Sequence, residues 1–241
     1  MKPVAIFQHD RTQRPGYLLR FLEQRGIPSQ LFFPAEGDRL PPGAADFSGL
    51  VFLGSNASVN DPLPWVEREI GLMHDAIALD RPILGHCFGG QLLARTLGAE
   101  VTRNATPCIG WETLRVTPGA RHWFGGACEV PAFNWHYETF GIPRGAQRTL
   151  FGTRCLNKGF AFGKHLGFQC HLEVTEEIVR EWCASGQAEL EAAGGGIQTQ
   201  DQILANLPEK LARLHKTAHT VYVMWISGLP WPKIAHVHGG W

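Results

Sequence analysis

The 241 residues carry no excess of either charge: 22 Lys and Arg stand against 22 Asp and Glu. That balance, without charge blocks, argues against a nucleic-acid surface and against a charged tail. No apolar run reaches the roughly 20 residues that cross a bilayer. The opening Met1-Lys2-Pro3-Val4-Ala5-Ile6-Phe7 is too short an apolar run for a signal peptide, and polar Gln8-His9-Asp10 follow it. It reads as a first strand. The six cysteines, at 87, 108, 128, 155, 170 and 183, include no Cys-x-x-Cys pair. A zinc site and a disulfide framework are both disfavoured, and reduced thiols point to a cytoplasmic chain. There is no internal repeat and no long linker, so one domain over 1–241 is expected, with 228–241 as a C-terminal tail. No P-loop and no ATP-using segment is visible, and no cofactor or resident metal is expected.

What is present is an alternation of strands and helices. Strands are expected near 3–8, 30–33, 49–53 and 83–86. A helix over about 15–25 carries Leu18, Leu19 and Leu22 on one face and ends at Gly26. Trp65, Ile70, Met73 and Ile77 give a second helical stripe. Repeated β–α units of this length imply an α/β fold: a doubly wound, mostly parallel central sheet with helices on both faces. Between 99 and 172 short runs such as Val101-Thr102-Arg103 and Glu112-Thr113-Leu114-Arg115-Val116 read as a small antiparallel region that continues or flanks the sheet. From Glu176 the chain is helical again, and a last helix is expected from 201 to about 226. Trp65, Trp123, Trp182 and Trp225 read as core or interface.

Chemistry concentrates where the fourth strand ends. Gly85-His86-Cys87-Phe88-Gly89-Gly90-Gln91 sets a cysteine between glycines and opens a helix. Glycines two residues either side match the spacing of a nucleophile elbow with cysteine for serine. The helix directs its N–H groups and positive dipole end at the sulfur. A buried structural cysteine before a helix is the alternative reading of these residues alone. Downstream, His171 and Glu173 stand two apart on a strand-like segment and so face one side. Such a pair supplies a base and its orienting carboxylate. Alone, it is also compatible with an incidental surface pair.

Together these segments resemble the class I glutamine amidotransferase family, whose elbow reads Gly-x-Cys-x-Gly-x-Gln and whose base segment reads His-Pro-Glu. Two further stretches match in order. Val51-Phe52-Leu53-Gly54-Ser55 and the loop to Asp61 are similar to its strand-to-loop segment, and Asn134-Trp135-His136-Tyr137-Glu138-Thr139-Phe140 to its Trp-His-x-Asp-Thr-Phe segment. The likeness is greatest to free-standing members similar to the glutaminase domain of GMP synthase. The resemblance implies a flavodoxin-like fold and hydrolysis of the glutamine side-chain amide. Cys87 would be nucleophile, forming a γ-glutamyl thioester, His171 base and acid, and Glu173 its orienter. Backbone N–H groups of Ser55 and Phe88 would form the oxyanion hole. Gly54, Gln91, His136, Tyr137 and Glu138 would bind substrate.

Several positions depart from that pattern. Ser55 stands for a glycine, Leu172 for the proline of the base segment, and Glu138 for aspartate. Lys158 occupies the place of a glutamine and reads either as a solvated loop lysine or as a cation recognising an extra carboxylate. His136 reads as a satisfied, half-buried histidine or a site residue. His86 lacks a carboxylate at good spacing and makes a poor rival base. His236 and His238 in the tail lack a nearby third ligand and read as incidental. The ammonia needs an acceptor, so the partners expected are glutamine or a γ-glutamyl compound and an unseen synthase or acceptor subunit. No nucleic acid or membrane is expected, and a homo-oligomer stays open. Two other readings remain: a γ-glutamyl peptide or amide hydrolase with the same three residues, and a catalytically silent binding module.

Overall fold

The computed structural model describes residues 1–192 and 194–231. Its strands form one nine-stranded sheet. Strands β1 (Val4–Phe7), β2 (Ser29–Phe32), β3 (Gly49–Phe52), β4 (Ile83–His86) and β9 (His165–Phe168) lie side by side in the order β2-β1-β3-β4-β9, all parallel. The sheet then continues antiparallel through β8 (Gly159–Phe162), β7 (Gln147–Phe151), β5 (Val101–Val116) and β6 (Glu129–Phe140). The antiparallel residues therefore extend the central sheet instead of flanking it.

Why the parallel strands read as unbroken apolar runs is clear from their two faces. Val4, Ile6, Val51 and Leu53 enter one core cluster, and Ala5, Phe7, Leu50 and Phe52 enter the other. Parallel strands covered on both sides must be apolar at every position. The helices α2 (Pro64–Ala78) and α3 (Phe88–Thr96) cover the second face. The first face packs against α1 (Gly16–Gln24), α4 (Glu176–Ser185) and the long α7 (Leu207–Ile226). Between α4 and α7 lie the short α5 (Gln187–Glu191) and α6 (Gln200–Leu204). Trp123, Trp182 and Trp225 are buried and Trp65 half-buried, as expected of core tryptophans.

Three expectations change. The runs 101–103 and 112–116 belong to one strand, β5, whose pairing with β6 shifts register between Arg103 and Cys108. A bulge keeps the ladder going where the sequence suggested two ends. The helix expected from 201 to 226 is two helices, because Asn206 takes φ 52° and Pro208 then starts α7. An Asn in the left-handed region followed by proline stops one helix and begins the next. Finally, β9 ends at Phe168, so residues 169–173 are irregular chain rather than strand. Of the tail, residues 228–231 are described; His236 and His238 lie outside the described residues.

Candidate active site

The elbow forms because β4 turns directly into α3. Cys87 sits at the junction with φ 52° and ψ −109°, a conformation that L-residues rarely adopt. Glycine is required on both sides by close approach. A Cβ on Gly85 would overlap the Gly89 carbonyl, and one on Gly89 would overlap the Phe52 carbonyl. Two backbone bonds pin the turn: Cys87 N donates to Phe168 O (2.8 Å) and Gly89 N donates to Leu53 O (3.1 Å). Strain at a single residue, held in place by its surroundings, is common where chemistry occurs.

The base segment reaches the thiol without being a strand. His171 N donates to the Phe133 carbonyl at 2.8 Å, which ties the loop after β9 to β6. Its ring packs edge-on against Trp182, 4.8 Å between centroids, and Nδ1 lies 2.6 Å from Glu173 Oε1. Burial alone would lower the imidazole pKa; the Glu173 carboxylate and the Cys87 sulfur outweigh it and lift His171 to about 10. Glu173 is pushed up by burial but held below its usual value by His86 and His171. Leu172 in place of proline leaves this geometry in place. His86 does have a carboxylate in space: its Nδ1 is 3.3 Å from Glu173 Oε2, a correction to the expectation from spacing. Fully buried among Phe168 and Tyr222, it is lowered by burial and does not line the cavity that Cys87 opens into.

On the other side of the thiol, the loop after β3 presents Gly54 and Ser55. Positive φ among described non-glycine residues is confined to Asp80, Cys87 and Asn206, so Ser55 needs none of glycine's freedom. Ser55 N–H has no acceptor among the described residues, nor has Phe88 N–H at the first position of α3. Gly54 is packed between Gln13 and His171. Its carbonyl accepts from His9 Nδ1 at 3.1 Å, and His9 Nε2 lies 3.0 Å from both oxygens of buried Glu69.

Cys87 opens into a cavity of about 550 Å³ whose walls include Ser55, Gln91, His136, Tyr137 and Glu138, all expected from the sequence. Arg103, Gln13 and Glu189 also line it, as do Trp135 and the 56–58 loop. Gln91 is turned by Gln169, whose Oε1 accepts its Nε2–H at 3.3 Å and whose own amide lies 3.8 Å from the Cys87 sulfur. Glu138 accepts from Ser58 Oγ at 3.0 Å. Glu189 on α5 accepts from Trp135 Nε1 (3.0 Å) and from the Tyr137 hydroxyl. His136 is 3% exposed, donates from Nδ1 to Glu138 O and accepts at Nε2 from Lys158 (2.9 Å). Burial and the ammonium together hold it neutral, well below the ordinary histidine pKa.

Lys158 overturns both readings made of it. It is fully buried, bonds Asn134 Oδ1 (2.8 Å) and lies 3.3 Å from Glu112 Oε2. A lysine so engaged is a structural cation behind the cavity wall, neither solvated nor facing a ligand.

The model of the class I glutamine amidotransferases matches residues 18–180 of this chain. The chain belongs to that family. A glutamine amidotransferase-like protein of Salmonella typhimurium, YfeJ, is 30% identical, the match covering 80% of this chain and 84% of that protein. A glutamine amidotransferase crystal structure from Methylobacillus flagellatus is 38% identical, covers 99% of both chains and superposes with a TM-score of 0.94. The GMP synthase of Aeropyrum pernix is 26% identical over 68% of this chain, which spans 33% of that longer protein. Family membership is consistent with hydrolysis of a glutamine amide and with the flavodoxin-like fold. Among the described residues no helix is long and apolar enough to cross a membrane.

Sequence reasoning missed Gln13, Arg103, Glu189, His9 and Glu69. Only Arg103 and Glu189 carry a charge pattern worth querying, and nothing in spacing ties them to Cys87. His9 follows β1, and the neighbouring Phe7 and Gln8 gave no hint that an imidazole would face another strand's end.

Proposed function

We propose that this amidotransferase hydrolyses the side-chain amide of glutamine to glutamate and ammonia through a γ-glutamyl thioester on Cys87. The observation that carries the reading is the convergence of one sulfur, one imidazole and one carboxylate from two distant parts of the chain. In the first half-reaction Cys87 Sγ attacks the amide carbon while His171 holds the thiol proton. The resulting oxyanion accepts from Ser55 N–H and Phe88 N–H, both unengaged within the described chain. Such donors stabilise charge that exists only in the transition state and intermediate. The C–N bond then breaks as His171 Nε2 gives its proton to the departing nitrogen, releasing ammonia. In the second half a water, losing its proton to the same imidazole, attacks the thioester. Glutamate leaves and the thiol is restored. Glu173 keeps Nδ1–H in place through both halves.

Gln91, Tyr137 and Glu138 are assigned to the amino-acid part of the substrate, with His136 as a neutral wall that fixes the Glu138 backbone. The ammonia passes to an acceptor or to a synthase subunit outside this chain.

A second reading is favoured by one feature of the cavity. Gln13, Asn56, Trp135 and Glu189 also line a neighbouring recess of about 250 Å³ that reaches Trp182 and Ser185. That extra room suits a larger amine than ammonia, and the same thioester chemistry would then cleave a γ-glutamyl amide or peptide.

Intact-mass measurement during turnover tests the first step: glutamine or a γ-glutamyl amide adds one γ-glutamyl group to the wild type and none to Cys87→Ala. A wild-type protein that never acylates on any member of the panel refutes the reading. Comparing glutamine with γ-glutamyl dipeptides then separates the two leaving groups.

A further inference from the structure

The hydrogen bond from His9 to Gly54 is connected to the thiol by one peptide plane. In a trans peptide the carbonyl of one residue and the N–H of the next point in opposite directions, and the chain has no cis peptide bond among its described residues. The Gly54 carbonyl faces the interior between β1 and α2, where it meets His9 Nδ1 at 3.1 Å. The Ser55 N–H of the same plane therefore faces the opposite way, into the cavity that Ser55 lines together with Cys87.

The imidazole cannot choose another orientation. Its Nε2 sits between both oxygens of Glu69 at 3.0 Å, and both residues are fully withdrawn from solvent, with His9 2% and Glu69 0% exposed. A carbonyl only accepts, so Nδ1 carries the proton whether the pair is imidazolium with carboxylate or imidazole with carboxylic acid. The donor at Gly54 is the same in both forms. Trp65 stacks on the ring at 5.2 Å and Phe88, whose own N–H is the second oxyanion donor, packs on it at 4.8 Å. The flanking groups are also tied down: Leu53 O accepts from Gly89 N, and Asn56 N donates to Asp10 Oδ2 at 2.8 Å. A bond to a carbonyl two residues past a strand would serve packing equally well at the end of β1 or β2. Here it falls on a peptide whose other end is a free donor beside the nucleophile.

We infer that His9, clamped by Glu69, is a positioning residue that sets the Gly54–Ser55 peptide so that Ser55 N–H points at the oxyanion formed on Cys87. This rests on the oxyanion role proposed above. His9 touches no substrate atom; it acts through the peptide. Its loss lets the plane rotate and weakens one donor for the oxyanion while leaving Cys87, His171 and the amino-acid pocket as they are.

The test compares His9→Leu, which has no donor, with His9→Gln, whose carboxamide N–H can still reach the carbonyl, and with Glu69→Gln. Two readouts are taken on folded protein. The first needs no activity: in ¹⁵N-labelled protein the wild type shows one sharp Ser55 amide resonance, and His9→Leu shifts or broadens it while His9→Gln leaves it near its wild-type position. The second is steady-state hydrolysis. His9→Leu loses roughly 100-fold in kcat, the lower end of what losing an oxyanion donor costs, with KM within about threefold, and His9→Gln recovers to within about tenfold of wild type. A purely structural role would lower the unfolding midpoint and leave the folded enzyme's kcat and the Ser55 resonance alone; that result overturns the inference. If His9→Leu fails to fold, His9→Gln and Glu69→Gln decide by the same two measurements. If the wild type cleaves no amide at all, the hydrolytic reading falls, and the Ser55 resonance alone still decides whether His9 holds the peptide.

Discussion

The two sides of the thiol are built from the same residue types, a buried histidine against a buried glutamate, and differ in how the pair is assembled. On one side His171 and Glu173 are two residues apart in the loop after β9, and the imidazole turns its free edge to the sulfur. On the other, His9 and Glu69 come from β1's end and from α2, and the imidazole turns its free edge to a backbone carbonyl. Carboxylates raise both rings above the ordinary histidine value against the lowering effect of burial. A ring facing sulfur can exchange protons with reacting atoms; a ring facing a carbonyl can only hold it still. In the proposed roles, the same pair serves proton transfer in one place and geometry in the other, according to what stands at the second nitrogen.

Substitutions on the His171 side give the largest separation. His171→Ala is expected to cost on the order of 10⁴ to 10⁶ in kcat, and Glu173→Gln roughly 100-fold less, because the ring remains but is no longer held in one tautomer. The first exceeds the loss expected at His9 and the second matches or exceeds it, so ranking the three by single-turnover release of ammonia or amine tests the division of roles. A His9 variant as damaged as His171→Ala would mean that His9 takes part in proton transfer, and the comparison would break.

The first pair was legible in the sequence because its parts are local. A His-x-Glu needs only two residues of chain to bring ring and carboxylate together, although the extended strand that the spacing suggested is replaced by a loop pinned to Phe133. The elbow was legible for a similar reason: the demand for glycine at 85 and 89 arises from backbone within the same turn and one adjacent strand. His9 and Glu69 were not legible, since they meet only after β1, β3 and α2 have packed. Lys158 was misread because Asn157 and Gly159 look like solvent-exposed loop. Its burial depends on Glu112 and Asn134, which β5 and β6 bring in from elsewhere. The parallel half of the sheet followed from unbroken apolar runs, whereas the bulge inside β5 hid a single 16-residue strand.

A third buried histidine shows what happens when a cation replaces the carboxylate. His136 receives a hydrogen bond from Lys158 and is held neutral. Removing that ammonium with Lys158→Met strands Glu112 and Asn134 without their partner. Breaking a buried ion pair in this way costs about 3–5 kcal/mol, which urea unfolding would record. Lys158→Gln keeps a donor for Asn134 and is expected to lose less. In either variant the His136 resonance should titrate at higher pH than in wild type, since one cause of its lowering, the Lys158 ammonium, is gone. An unchanged stability in Lys158→Met would show that the cation is dispensable to the cavity wall.

His165 has neither a carboxylate nor a cation as hydrogen-bond partner. Its Nδ1 accepts from Ile83 N at 3.2 Å, and burial lowers its pKa to about 4. The unfolded chain, with an ordinary histidine value near 6.5, binds a proton more readily than the folded one. Stability contributed here is complete above about pH 6.5 and is lost as pH falls toward 4, by at most about 3 kcal/mol. His171, raised instead of lowered, acts in the opposite sense: its contribution is complete below about pH 6.5 and is lost as pH rises through about 10. Thermal unfolding midpoints between pH 4 and 7 should flatten in His165→Asn, which keeps an acceptor for Ile83. The alkaline limb should flatten in His171→Ala. If one variant flattened both limbs, the two histidines would not be acting independently.

The smallest effect lies at the thiol itself, between the two pairs. Cys87 holds φ at 52°, where a Cβ crowds its own backbone and glycine does not. Cys87→Ala and Cys87→Gly both remove the sulfur, so neither turns over. They differ only in the Cβ and in the extra freedom that glycine has when unfolded. At ordinary φ the alanine variant would be the more stable by up to about 1 kcal/mol, as for exposed helical positions. At this φ the strain reverses the order, and Cys87→Gly is expected to be more stable than Cys87→Ala by about 1 kcal/mol. Denaturant midpoints of the two inactive proteins measure the difference directly. An alanine variant equal to or above the glycine variant would show that the surrounding backbone relaxes at no cost. The geometry that the flanking His171 and His9 pairs meet at the sulfur would then be set by the side chain instead of being imposed on it.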